Sequence, residues 1–151
     1  MAELNELSLC AANAGNAYLE ACIQEKLFII AGLKFGELEG HTLIVHKALY
    51  GLTTSGVRWT ERLAASLRAH GFTSSYADPA IWMREQDDHW EYVCVWVDDM
   101  LIMSRNTQGI FNILEKEYTL KGDGFPKYYL GADMKMLDEP DKVLLWDLQP
   151  M

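Results

Sequence analysis

Two adjacent aspartates, Asp98 and Asp99, lie in the middle of the otherwise apolar run CVWVDDMLIM (94–103). Charged side chains are rarely buried without partners, because an unpaired carboxylate in a protein core is strongly destabilising. Two carboxylates held between apolar strands are suited to a divalent cation, since Mg²⁺ binds one or two carboxylates together with water and phosphate oxygens. The alternative is that both residues only form a turn, in which aspartate is common.

The residues on either side of the pair predict a β-hairpin. Residues 90–97 (WEYVCVWV) and 100–104 (MLIMS) are typical of strands, and only Asp98 and Asp99 separate them. We therefore expect a tight turn with the acidic pair at its tip, where it is open to solvent. Hairpin turns more often contain Asn-Gly or Asp-Gly, and adjacent like charges repel each other, so turn formation is an incomplete explanation of the pair.

The rest of the chain predicts the elements that must position this hairpin. A helix is expected to begin at Ser55 and to end at Gly71. Its apolar positions Trp59, Leu63 and Leu67 share one face. This amphipathic pattern predicts a helix that packs against a sheet.

A second helix is expected over residues 107–118, with Asn106 as its N-terminal cap. A short helical segment is expected within residues 16–21, and residues 120–136 predict a loop with Gly and Pro that leads into a strand. Together with the remaining strands, this order predicts an α+β fold, an antiparallel sheet with helices on one face. Those strands are expected at residues 7–12, 26–31, 43–49, 80–85 and 142–148.

Composition limits the class of protein. With 151 residues, half of them hydrophobic and 23% charged, the chain is expected to form a single globular domain over residues 1–151. No apolar run approaches the roughly 20 residues of a membrane span. Three cysteines without metal-binding spacing predict a reducing, intracellular location. The net charge of −9 argues against a simple nucleic-acid binder, although residues 41–84 carry five basic and two acidic residues.

Four stretches in order carry a family resemblance: NAGNAYL (13–19), KALYGLTTSGVRW (47–59), WVDD (96–99) and YYLGADM (128–134). Together they resemble the palm of the reverse transcriptase encoded by Ty1/copia-type retrotransposons, over roughly residues 7–136. The resemblance implies a ferredoxin-like palm and an RNA-directed DNA polymerase. It also implies nucleic-acid primer-template and dNTP as substrates.

The resemblance further implies a site for two divalent cations, Mg²⁺ or Mn²⁺, that stabilise the charge developing in nucleotidyl transfer. In the family, the aspartate pair of the hairpin and one aspartate of the first palm strand hold these ions. The pair corresponds to Asp98 and Asp99, and Asn13 stands at the position of the third aspartate. A neutral amide is a poor bridge between two cations, so we expect a weakened metal site and impaired catalysis.

Further positions match the family's substrate-binding residues. Tyr18, next to Ala17, corresponds to the aromatic residue beneath the incoming sugar, where its ring would favour deoxynucleotides; the alternative is a half-buried helix aromatic. Gly56 would let the backbone approach the nucleotide, and Arg58 would reach phosphate or remain a solvated helix charge. The expected primer–template contacts are Trp96, Tyr129, Leu130 and Gly131. Alternatively, residues 128–131 form an ordinary aromatic-rich edge strand.

Other departures from the family favour a degenerate palm fragment. Trp96 replaces the usual tyrosine before the acidic pair, and twelve residues before Asn13 are too few for the fingers subdomain. No RNase H region is expected after Met151. Two further interpretations therefore stay open beside an impaired polymerase: a domesticated, non-catalytic subunit of a larger protein assembly, with protein partners, and a translation product without function.

Overall fold

The chain forms eleven strands and two α-helices in the residues that the computed structural model describes, which are residue 2, residues 5–135 and the backbone of 146–148. Short 3₁₀ helices occupy Ala17–Glu20 and Leu33–Leu38. The elements are β1 (Ser8–Ala14), β2 (Cys22–Ile30), β3 (Thr42–Lys47), α1 (Ser55–Ala69), β4 (Thr73–Ser74), β5 (Ile81–Glu85), β6 (Trp90–Trp96), β7 (Asp99–Ser104), α2 (Thr107–Glu115), β8 (Leu120–Gly124), β9 (Tyr128–Tyr129), β10 (Ala132–Met134) and β11 (Trp146–Leu148).

These elements divide into two compact units, one of residues 1–15 with 67–151 and one of residues 16–66. The first contains an antiparallel six-stranded sheet in the order β4-β5-β6-β7-β1-β8 and a three-stranded sheet β11-β10-β9; the second contains the β2-β3 ribbon. The predicted α+β class is confirmed, and the single domain over 1–151 stays a prediction. Within the described residues, no helix has the length and apolar character needed to cross a membrane.

Strand β7 is the centre of the core of the first unit. Its residues Met100, Leu101 and Ile102 are all buried, so both of its faces are covered, because successive side chains point to opposite faces. Leu101 packs with Tyr129 and Met134, which belong to the three-stranded sheet. Helix α2 packs against β1, β7 and β8. The hairpin that carries the acidic pair is thus anchored on a strand covered from both sides.

A buried carboxylate, Glu91 of β6, joins three strands through hydrogen bonds. Ser104 Oγ donates to Glu91 Oε1 at 2.6 Å, and Arg84 donates to Oε2 from Nε at 2.8 Å and from Nη2 at 2.7 Å. Gln86 Nε2 donates at 3.0 Å. Burial by itself raises the pKa of Glu91, but the hydrogen bonds from Ser104, Arg84 and Gln86 outweigh it and lower the pKa below its ordinary value of 4.5.

The predicted cap of α2 is confirmed, since Asn106 Oδ1 accepts a hydrogen bond from the Gly109 N–H at 3.0 Å. Replacing Asn106 with alanine is expected to lower the free energy of unfolding by about 1 kcal/mol, because an amide donor of the first helical turn loses its partner. Urea unfolding measures this loss. Asn112→Ala, at an exposed position of the same helix, is the control, and equal losses for both variants would contradict the capping role.

Strand β8 corrects the sequence prediction, which placed a loop from residue 120. Its residues LKGDG lack alternating apolar positions, and they form a strand because β1 offers a free edge for antiparallel pairing. The pairing shifts register between Ala11 and Asn13, and Gly122 has φ 78°. A Cβ at Gly122 would lie 3.1 Å from the Ala11 carbonyl oxygen, so glycine suits this close approach.

The other predicted elements are present with shifted bounds, whereas strand β4 and the 3₁₀ helix at Leu33–Leu38 were not predicted. The helix expected over residues 107–118 ends at Glu115, and the helical segment at 16–21 is a 3₁₀ helix. The expected strand at 142–148 lies partly outside the described residues, which include only its last three positions.

Candidate functional site

Asn13, Asp98 and Asp99 are brought together by the pairing of β1 with β7. Asn13 lies directly opposite Asp99 in this antiparallel register. Asn13 Nδ2 donates hydrogen bonds to Asp98 Oδ2 at 3.2 Å and to Asp99 Oδ1 at 2.9 Å. The backbone N–H of Ala14 donates to the Asp98 carbonyl oxygen at 2.7 Å. The three side chains are partly buried and form one polar cluster at the end of the central strands.

The turn differs by one residue from the predicted one. Trp96 pairs with Asp99, so the two connecting residues are Val97 and Asp98, and Asp99 is the first residue of β7. The pairing of Asp99 with both Trp96 and Asn13 fixes this register. Val97 has φ 54°, a conformation that a β-branched residue rarely adopts, so the turn is strained.

The chemistry of the three groups determines how the amide is oriented. Ionised carboxylates only accept hydrogen bonds, so the nitrogen of Asn13 must face Asp98 and Asp99. The opposite orientation would place the amide oxygen against two negative groups. Within the described part of the chain, no group of three or more His, Cys, Asp or Glu side chains is arranged to hold a metal ion. The cluster therefore consists of two carboxylates and one neutral donor.

A groove of about 590 Å³ lies beside this cluster. The predicted primer–template residues Trp96, Tyr129, Leu130 and Gly131 all line it, together with Asn13 and Asp99. Two further residues that line the groove, Lys121 and Tyr128, were not predicted as site residues. Tyr128 was part of the quoted YYLG stretch, whereas Lys121 was placed in a loop and carried no signal of its own.

The tyrosines of this groove differ in exposure. Tyr129 is buried, and its hydroxyl donates to the Cys94 carbonyl oxygen at 3.3 Å. Burial raises the pKa of Tyr129 well above its ordinary value. Tyr128 and Trp96 are 62% and 61% exposed, so their rings are available to a ligand. Tyr129 thus stabilises the wall of the groove, and Tyr128 and Trp96 supply its free aromatic surfaces.

The unit of residues 16–66 contains the other predicted nucleotide-binding residues. Tyr18 packs on Tyr50, with ring centroids 4.7 Å apart, and Ala17 is buried. A Cβ at Gly56 would lie 4.0 Å from the Tyr18 hydroxyl, so Gly56 is next to that ring. Tyr50, which is 62% exposed, was not singled out from the sequence, although it lies in the quoted LYGL stretch.

Arg58 is neither a solvated charge nor a free phosphate ligand in this structure. Its Nη1 donates to Glu61 Oε2 at 3.0 Å and its Nη2 donates to Glu25 Oε1 at 3.2 Å. The hydrogen bonds with Glu61 and then Glu25 raise the pKa of Arg58 above its ordinary value. Its guanidinium is thus held by two carboxylates of its own unit.

Comparisons with known proteins give one consistent result. Residues 4–145 match the family described as "Reverse transcriptase (RNA-dependent DNA polymerase)". The chain is 23% identical over 132 residues to the Retrovirus-related Pol polyprotein from transposon RE2 of Arabidopsis thaliana, covering 84% of this chain. It is 24% identical over 128 residues to the corresponding polyprotein from transposon RE1, covering 82% of this chain. It spans 9% of the length of each relative.

Proposed function

Because the chain belongs to the reverse transcriptase (RNA-dependent DNA polymerase) family, we propose that it is the palm part of a Ty1/copia-type RNA-directed DNA polymerase. The observation that supports the palm assignment most directly is the juxtaposition of Asn13 with Asp98 and Asp99. The substrates under this proposal are a primer-template and dNTP. We also propose a reducing, intracellular location, in which the thiols of Cys10, Cys22 and Cys94 stay reduced.

Divalent cations, Mg²⁺ or Mn²⁺, supply transition-state charge stabilisation in this class of reaction. The residues of this chain do not fit a site for two such ions as they stand. Among the described residues, the cluster contains two carboxylates, and the amide nitrogen of Asn13 is directed at both of them. Hard cations need oxygen ligands, so we propose that catalysis by this chain is impaired by several orders of magnitude.

Under this proposal, the nucleic-acid strand is bound by the groove rather than by the cations. The exposed rings of Trp96 and Tyr128 offer stacking surfaces for bases, and Lys121 offers a positive charge for phosphate. In the unit of residues 16–66, we propose that Tyr18, packed on Tyr50 and next to Gly56, contacts the sugar of the nucleotide. A flat ring at that position excludes a 2′-hydroxyl, which favours deoxynucleotides.

Primer extension and strand binding together test this proposal. The chain is expected to bind a labelled primer-template but to incorporate at most traces of dNTP with Mg²⁺ or Mn²⁺. Trp96→Ala is expected to weaken binding about tenfold, because one stacking contact contributes roughly 1–3 kcal/mol. Fluorescence anisotropy measures the affinity, and Trp90→Ala, at an exposed tryptophan outside the groove, is the control.

Two outcomes would contradict the proposal. If the chain shows no affinity for the primer-template, the proposed palm function is wrong. Robust incorporation by the unmodified chain would show that Asn13 does not impair catalysis.

A second candidate function, a domesticated non-catalytic subunit, is favoured by the apolar surface of the β2-β3 ribbon and the segment between its strands. Its exposed side chains would be covered in a protein assembly, since large apolar patches mark interaction surfaces. Size-exclusion chromatography of native material distinguishes the two candidates. Stable co-migration with a protein assembly supports the subunit, and a free monomer that binds primer-template supports the polymerase. The exposed residues are Phe28, Ile30, Leu33, Phe35, Leu38 and Ile44.

A further inference from the structure

Asp98, in the turn, and Asp99, the first residue of β7, place two acidic side chains next to each other. Within the described residues, no lysine, arginine or histidine forms an ion pair with either carboxylate. Their common side-chain partner is Asn13, which donates to Asp98 at 3.2 Å and to Asp99 at 2.9 Å. A primary amide nitrogen has two hydrogens, so each carboxylate receives one of them.

We propose that the Asn13 amide takes the place of a bridging cation and holds the acidic turn together without metal. The backbone supports this arrangement, because Asn13 is fixed opposite Asp99 by strand pairing and the Ala14 N–H binds the Asp98 carbonyl. Hydrogen bonds to ionised groups are about twice as strong as those between neutral groups. The strained Val97 turn is therefore kept in place by contacts internal to the protein.

This arrangement also makes the turn insensitive to divalent cations. A cation between Asp98 and Asp99 would have to displace the Asn13 nitrogen and break both of its hydrogen bonds. Rotating the amide would present its oxygen to the cation, but the carboxylates would then lose their donor. The proposal deepens the proposed function, because it concerns the same three residues, yet it requires no polymerase activity.

The test compares melting temperatures in EDTA and in excess Mg²⁺, followed by circular dichroism. The unmodified chain is expected to melt at the same temperature in both conditions. Asn13→Asp is expected to melt at a lower temperature in EDTA, because a third carboxylate replaces the donor, and to be stabilised by Mg²⁺. Its Mg²⁺ affinity is expected to be at least about tenfold higher, since ligand charge sets the affinity of such sites. Asn112→Asp, an exposed change of the same type on α2, is expected to behave like the unmodified chain.

A second measurement covers the case in which Asn13→Asp does not fold. In the unmodified chain, the side-chain amide protons of Asn13 are expected to exchange slowly and to keep their NMR shifts when Mg²⁺ is added. A rise in the melting temperature of the unmodified chain with Mg²⁺, or a Mg²⁺-dependent shift of these protons, would overturn the proposal. Failure to bind primer-template would overturn the proposed function and leave this inference standing.

Discussion

Replacing Asn13 with aspartate is expected to raise the rate of dNTP incorporation by about a hundredfold or more. The change removes the amide nitrogen that donates hydrogen bonds to Asp98 and Asp99. It also adds a third carboxylate as an oxygen ligand for the cations. Asparagine and aspartate have nearly the same shape, so the pairing of residue 13 with Asp99 is expected to persist. Single-nucleotide incorporation on a primer-template with Mg²⁺ measures the rate.

Three controls make this result specific. Incorporation by Asn13→Asp must disappear in EDTA and in the double variant Asn13→Asp with Asp99→Asn. Asn112→Asp must leave the rate at the level of the unmodified chain. If Asn13→Asp binds primer-template as tightly as the unmodified chain but incorporates no faster, residue 13 is not the position that limits catalysis.

Replacing Glu91 with alanine is expected to lower the free energy of unfolding by about 3–5 kcal/mol, the usual cost of removing one partner of a buried ion pair. Glu91 is only 4% exposed. Without it, Arg84 loses its ion-pair partner and the buried Ser104 hydroxyl loses its acceptor. Unfolding in guanidinium chloride, followed by tryptophan fluorescence, measures the loss. Glu85→Ala, an exposed glutamate on the neighbouring strand, is expected to have little effect.

The contribution of Glu91 should also depend on pH. Its pKa is lowered in the folded protein, so its stabilising effect is present in full above the ordinary value of 4.5 and is lost as the pH falls through the lowered value. The difference in stability between the unmodified chain and Glu91→Gln is therefore expected to shrink below about pH 4.5. A difference that stays constant into acid would show that the charge of Glu91 is not what stabilises this network.

Local pattern was sufficient to predict the elements with strong periodicity. Helix α1 begins at the predicted Ser55 because its apolar residues recur at helical spacing, and Asn106 caps α2 because its side chain suits that position. The family resemblance, now confirmed by the match over residues 4–145, also placed Asn13 opposite the acidic pair. The roles of these site residues in catalysis stay predictions.

Features that depend on tertiary partners were missed. Strand β8 forms because it pairs with the edge of β1, and its own residues show no strand pattern from which this could be predicted. Arg58 binds Glu61, three residues later in the chain, and Glu25, 33 residues earlier. The contact with Glu25 depends on the tertiary fold and could not be predicted from sequence spacing. The turn was predicted one residue too late in the chain. Its position is set by the pairing of Asp99 with Trp96 on one neighbouring strand and with Asn13 on the other.

The amide at residue 13 also bears on how such a chain changes over generations. Asparagine and aspartate are encoded by codons that differ only in their first base, so one point mutation converts either residue into the other. Because the asparagine amide donates to both carboxylates, an exchange of aspartate for asparagine at residue 13 is compatible with the fold. Under the proposed function, such an exchange would impair catalysis without disrupting the turn, and a single reverse mutation would restore the negative charge at residue 13.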